Sequence, residues 1–151
     1  MRRADREISD KTEIEEILGR ARVCHLGLCD KGVPYVVPMN YGYMGNTLYF
    51  HCAPSGRKLD ILRENSCVSF AVYIEERLVE SGTACKWTMK YRSVMGTGKA
   101  SQISSQNEKE RALQIIMRHY SSLDYDIDRT QADRVAIIKV AIETLSGKKS
   151  V

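Results

Sequence analysis

The stretch TLYFHCAPSGRKLDILR, residues 47–63, reads as a strand, a tight turn and the opening of a helix. Leu48, Tyr49 and Phe50 form the apolar, aromatic strand. Pro54 has no backbone N–H and cannot continue a central strand. Ser55 and Gly56 follow, and an apolar helical spacing begins at Leu59, Ile61 and Leu62. Such a corner suits an anion: the first N–H groups of a helix lack internal partners, and the helix dipole favours negative charge there. Gly56 has no Cβ, so a ligand can approach the backbone. Ser55 can cap the helix or donate its hydroxyl. Arg57 can grip two phosphate oxygens, and Lys58 adds a mobile point charge. The plainer alternative is a capped helix with two solvated cations. The segment is not a Walker loop, which needs a second glycine before its lysine.

Upstream, residues 10–21 carry Ile14, Ile17, Leu18 and Ala21 on one helical face, and Asp10 with Glu13 resembles a capping box. Residues 23–29 are expected to form a strand, Asp30-Lys31-Gly32 a hairpin turn, and residues 33–43 a second strand. Pro34 and Pro38 in that strand imply an edge, a bulge or a gap in the ladder. Gly45-Asn46 turns into the strand of the opening motif. Short turns between these strands imply antiparallel pairing.

Downstream, residues 67–74 alternate cleanly, with Val68, Phe70, Val72 and Ile74 on one face. Residues 75–86 are charged and read as a loop, and residues 87–101 as one long strand. Gly96 and Gly98 inside it imply a bulge or a close approach. Ser105 with Glu108 forms a capping-box pattern before a helix whose inner face is Ala112, Leu113, Ile116, Met117 and Tyr120. Residues 121–132 read as a polar connector and residues 134–144 as a last strand with Ala136, Ile138, Val140 and Ile142 alternating. The basic SGKKSV tail is expected to fray. About six mostly consecutive strands and three helices predict a mainly β fold: an antiparallel barrel with peripheral helices, not a doubly wound sheet.

A length of 151 residues suggests one domain over 1–151 with a real core. The net charge of +4 comes from interspersed signs without a long basic tract, so no nucleic-acid partner is expected. The chain lacks an apolar run that could span a bilayer and a signal-peptide core, which gives the expectation of a cytoplasmic protein without membrane contact. Cys24, Cys29, Cys52, Cys67 and Cys85 are odd in number and show no C-x-x-C spacing. No disulfide framework and no metal site are expected.

Four segments carry a resemblance: HLGLCDKGVPYVVPMNYGY at 25–43, LYFHCAPSGRKLDIL at 48–62, CKWTMKYRSVMGTGKA at 85–100 and EKERALQIIMRHY at 108–120. In order and spacing they resemble the pyridoxamine-phosphate-oxidase-like flavoproteins, which share an FMN-binding split β-barrel. Within these the chain is most similar to the nitroimidazole-resistance (Nim-type) proteins. The resemblance implies a homodimer with a flavin in each of two clefts at the subunit interface. Ser55, Gly56, Arg57 and Lys58 would hold the FMN phosphate. Pro38, Met39, Asn40 and Tyr41 would run along the isoalloxazine ring. Tyr91, Ser93 and Val94, with Trp87 nearby, would complete the cleft, from the same chain or from the partner chain.

The implied activity is an FMN-dependent oxidoreductase passing a hydride through the flavin to a small electron acceptor, a nitroaromatic such as a 5-nitroimidazole. NADH or NADPH would be the donor, although the chain has no dinucleotide fingerprint. The residues agree with a flavin, which needs an anion grip at one end and a flat wall with backbone hydrogen-bonding groups at the other. His51 is the one candidate for a catalytic side chain. It could contact phosphate or substrate or ligate haem iron, or simply be a hydrogen-bonded barrel histidine. His25 reads as structural, and His119 as a cation at a helix C-terminus. Trp87 and Tyr91 would stack on ligand or fill the dimer interface, and Lys90 and Arg92 read as solvated. Cys85 has no activating base in view. Two alternatives stay open: a haem-binding or haem-handling protein on the same barrel, with His51 or His25 as ligand, and a flavin-binding module without turnover. FAD is the alternative flavin.

Overall fold

The computed structural model describes residues 4–150. Eight strands form one antiparallel sheet: β1 (Glu7–Ile8), β2 (Cys24–Asp30), β3 (Val33–Met39), β4 (Gly42–Met44), β5 (Thr47–Cys52), β6 (Cys67–Val79), β7 (Thr88–Ile103) and β8 (Ala136–Ser150). Their order is β3-β2-β6-β7-β8-β5-β4, with β1 on the far end of β8. Four α-helices pack around it: α1 (Lys11–Arg20), α2 (Arg57–Glu64), α3 (Gln106–Tyr120) and α4 (Arg129–Asp133).

Residues 33–43 are therefore not one strand. β3 ends at Met39 on one edge of the sheet, and β4 begins at Gly42 on the opposite edge. Only Asn40 and Tyr41 lie between them. Three Cα steps cover at most about 11 Å, so the two edges must lie side by side. The sheet is curled into a barrel whose last seam is crossed by the chain but not by a ladder. This is the split antiparallel barrel with peripheral helices. Pro34 and Pro38 sit on the edge strand, where a missing N–H costs nothing.

The alternation in β6 and β8 fills the barrel. Val68, Phe70, Val72, Ile74, Ala136, Ile138, Val140 and Ile142 are all buried. Helix α1 adds Ile17 and Leu18, and α2 adds Leu59 and Ile61, to the same core. Outside it, α3 buries Ala112 against Ile103 and Ile137. The two glycines of β7 serve the curl. A Cβ on Gly96 would lie 2.5 Å from Phe70 and from the Thr144 carbonyl, and the β7–β8 register shifts between Thr97 and Gly98.

Several expectations fail for identifiable reasons. The charged residues 75–86 are largely ordered: β6 runs on to Val79, after a bulge at Glu75 (φ 58°), and pairs with the start of β7. Along this arm Glu75, Glu76, Arg77 and Leu78 of β6 and Thr88 and Met89 of β7 are all exposed. The basic tail is a paired strand end: Gly147 and Lys148 lie between β7 and β1, and Lys149 reaches Glu13 at 2.9 Å. Ser105 is the N-cap of α3 but makes no side-chain cap bond, and Gly56, not Ser55, caps α2. Asp10 accepts from the Thr12 N–H, while Glu13 turns to Arg92 and Lys149. A capping box stands instead at Asp128 and Gln131, inside the expected connector.

Candidate functional site

At the C-terminal end of β5 the chain leaves the sheet through Ala53, Pro54 and Ser55 and enters α2 at Gly56. Gly56 takes φ 135° and ψ 169°, a region essentially closed to residues with a side chain. A Cβ there would meet nothing within 4 Å, so the space over the helix entrance is open. The N–H groups of Leu59 and Asp60 return to the Gly56 carbonyl. Those of Arg57 and Lys58 come before the first helical bonds and point out of the helix entrance.

Arg57 is positioned by its neighbours. The Arg57 guanidinium lies 4.7 Å from the centre of the Tyr35 ring and donates to Asp30 at 3.3 Å. Asp30 and Tyr35 belong to the β2–β3 hairpin, turned tightly at Lys31 (φ 50°) and Gly32 (φ 89°). The hairpin thus holds Arg57 beside the helix entrance. Lys58 is half-buried. Burial pushes the Cys52 thiol upward, and the nearby Lys58 charge pulls it the other way. Asp30 and Tyr35 had no site signal in the sequence. The hairpin pattern accounted for Asp30 as a turn residue, and Tyr35 was read only as part of the proline-interrupted strand.

From Tyr35, β3 continues along the seam to Pro38 and Met39, three and four residues on, a path of roughly 10–13 Å. Pro38 and Asn40 are exposed, and Met39 is half-buried. Prolines cannot donate to β2, so the parity of Pro34, Val36 and Pro38 faces the open edge, with the Val36 N–H and three carbonyls available. Tyr41 differs from its neighbours. It is fully buried, its hydroxyl donates to the Leu18 carbonyl at 2.6 Å, and its ring packs 4.4 Å from His119. Its side chain is part of the core, not of a ligand wall.

Trp87, Tyr91, Ser93 and Val94 stand apart from this corner. Along β8, His51 is opposite Ile137 and Val94 opposite Gly147, a separation of about 30 Å along the strand. Within one chain the two groups do not meet. Val94 is fully buried. The Ser93 hydroxyl donates to the Lys148 carbonyl, and the exposed Trp87 indole donates to the Ser81 carbonyl. His51 is exposed, and His25 stacks on Tyr73 on the outer sheet face.

Two other readings are corrected. Arg92 is not solvated: it bonds Glu13 (3.0 Å), Glu16 (2.7 Å) and Glu75 (3.4 Å). Hydrogen bonds from Arg92, the larger cause, and from Arg20 hold the Glu16 carboxyl down to about 2. His119 is not a helix-end cation. Burial lowers its pKa, and its Nε2 lies 2.7 Å from the Ala21 carbonyl. Among the described residues no group of three or more His, Cys, Asp and Glu is arranged to hold a metal, and no helix is long and apolar enough to cross a membrane.

Comparison with known proteins places this geometry. The crystal structure of a candidate 5-nitroimidazole antibiotic resistance protein of Bacteroides thetaiotaomicron is 38% identical, with a TM-score of 0.84, over 95% of this chain and 86% of that one. A flavocytochrome of Azotobacter vinelandii shares the fold at 23% identity and a TM-score of 0.85, over 100% of this chain and 72% of that one. An uncharacterized protein of Rhizobium meliloti (strain 1021) is 27% identical over 96 residues, 64% of this chain and 56% of the relative, so the match spans little more than half that relative's length. The family model of pyridoxamine 5'-phosphate oxidase matches residues 10–149. That span holds the edge strands, the seam and the β5–α2 corner together, and the chain belongs to the pyridoxamine 5'-phosphate oxidase family.

Proposed function

We propose that the protein is an FMN-dependent oxidoreductase acting on a small electron acceptor, a nitroaromatic of the 5-nitroimidazole kind, with NADH or NADPH as donor. The β5–α2 corner carries this reading: an open helix entrance at Gly56, with Arg57 held over Tyr35 and Lys58 beside it. Its donor set fits a phosphate monoester. Ser55, Gly56, Arg57 and Lys58 would hold the phosphate. The open edge of β3, from Val36 to Asn40, lies one flavin's reach away and offers backbone donors and acceptors to the ring. When bound, FMN supplies hydride transfer between donor and acceptor. The chain's own work is to anchor the anion, orient the ring along the seam and keep one ring face accessible to the acceptor.

A homodimer completes this reading. Tyr91 and Ser93 cannot reach the corner of their own chain, so in the proposed assembly a second copy brings them there. The exposed Val36, Tyr73 and Met95 lie on or border the outer sheet face, and Val36 and Met95 line a recess of about 460 Å³ there. They provide apolar surface for such a partner. Light scattering on purified protein is expected to give twice the chain mass.

Titration with FMN and with riboflavin tests the site. Arg57→Ala is expected to weaken FMN binding by about 2–4 kcal/mol, because a charge-assisted and bidentate contact is lost, and to leave riboflavin binding nearly unchanged. Equal FMN affinity in the variant and the parent would remove the phosphate assignment. Oxidation of NADH or NADPH dependent on a 5-nitroimidazole, under anaerobic conditions, tests turnover. Bound FMN without it would leave a binding module.

A further inference from the structure

We propose that the recess at the root of the β6–β7 arm is a second anion site, one that takes a diphosphate group. Of its lining only Tyr91 also belongs to the FMN reading, and the charge argument does not use it. The recess measures about 270 Å³ and is lined by Glu75, Arg77, Lys90, Tyr91, Arg92 and Ser150. Its volume corresponds to roughly nine waters, more than a single phosphate displaces. Arg77 and Lys90 lie directly opposite each other in the ladder, so their side chains leave the same face of the arm. Like charges placed opposite destabilise a strand pair. Such a pair normally shares a carboxylate, but here neither cation forms an ion pair among the described residues.

Of the carboxylates nearby, Glu76 forms no ion pair among the described residues and lines a different recess, with Arg20 and Arg22, and the others are committed. Glu75 bonds Arg20 at 2.9 Å and Arg92 at 3.4 Å, Glu13 bonds Arg92 and Lys149, and Glu16 bonds Arg92. The recess thus has two positive charges side by side with no ion-pair partner among the described residues, on paired strands that fix their spacing. Two adjacent anionic groups on one ligand match that arrangement, and a nucleotide diphosphate is the class that carries them. An Arg on one strand can fork two oxygens of one phosphoryl group while the Lys opposite takes the other.

Inorganic pyrophosphate, titrated into the full-length protein at low ionic strength, tests this. The only tryptophan, Trp87, immediately precedes β7 and reports on the arm through its fluorescence. The expected result is saturable binding, weakened about tenfold in Arg77→Gln/Lys90→Gln and unchanged in Arg118→Gln, an exposed cation of α3 paired with Asp124. The double variant is expected to melt no lower than the parent, because a like-charge contact is relieved. The single variants Arg77→Gln and Lys90→Gln give the same reading in smaller steps. No saturable binding, equal weakening in all variants, or loss confined to Arg118→Gln would each overturn the site.

Discussion

Gly56 separates conformation from contact more cleanly than any other position at the corner. Its φ of 135° strains a side chain, yet a Cβ would touch nothing. Gly56→Ala is therefore expected to cost about 1–3 kcal/mol of stability and to weaken FMN binding further, since relieving the strain turns the helix entrance away. Thermal melting and FMN titration of one sample separate the two effects. His119 makes a second prediction. Its folded pKa is depressed by burial, so the unfolded chain binds the extra proton more readily. Stability from this residue is complete above the ordinary histidine range and falls as pH drops through that range toward the folded value. In His119→Gln the part of the acid loss lying between neutrality and pH 5 should shrink, as denaturant unfolding at several pH values would show. The strand–turn–helix corner was legible because Pro54 and Gly56 act through the backbone, which sequence spells out. Tyr41 was not. Its neighbours face the seam, but its side chain takes the opposite direction to satisfy the Leu18 carbonyl, and no local pattern carries that long-range contact.

One guanidinium ties helix α1 to β7. Arg92 of β7 bonds Glu13 and Glu16 of α1 and Glu75 of the bulge, and its side chain is 13% exposed. Arg92→Met should lower stability by about 2–4 kcal/mol, because three carboxylates lose their shared partner. The helical signal over Lys11–Arg20 in circular dichroism should soften before the sheet melts. The bulge at Glu75 explains why this cluster was invisible in sequence. Residues 75–86 read as a loop because charge appears on both parities, but those charges either pair across elements or face solvent on an exposed arm. The core strands were legible for the opposite reason. In β6 and β8 one face is wholly buried, and alternation follows directly from that. The last residues of β8 carry lysine and glycine, poor strand signals, yet two neighbours and the Lys149–Glu13 pair hold them in place. Gly96→Ala would push a methyl into Phe70 and the Thr144 carbonyl. A loss of about 1–3 kcal/mol is expected by denaturant unfolding.

The barrel closes at Asn40 and Tyr41, where the chain steps from one outermost strand to the other. The crossing was hidden in sequence because no Gly-Asn or Asp-Gly pair marks it. The prolines of β3 told of an edge without telling what lay beyond it. A consequence follows for how the molecule breathes. Every other strand boundary from β3 round to β4 is fastened by amide-to-carbonyl bonds, so opening there must break several together. Along Val36 to Asn40 no ladder joins β3 to β4, and the crossing is held at Tyr41 by its N–H to the Tyr120 hydroxyl and its own hydroxyl to the Leu18 carbonyl. Amide hydrogen exchange should therefore be fast at Val36 and Asn40 and slow through the middle of β6, β7 and β8, so that local opening starts along this line. A ligand lying there would act as the missing rung: exchange at Val36 should slow on adding FMN by more than it does anywhere in β7 of the same chain, and the barrel would become a closed ring only when loaded.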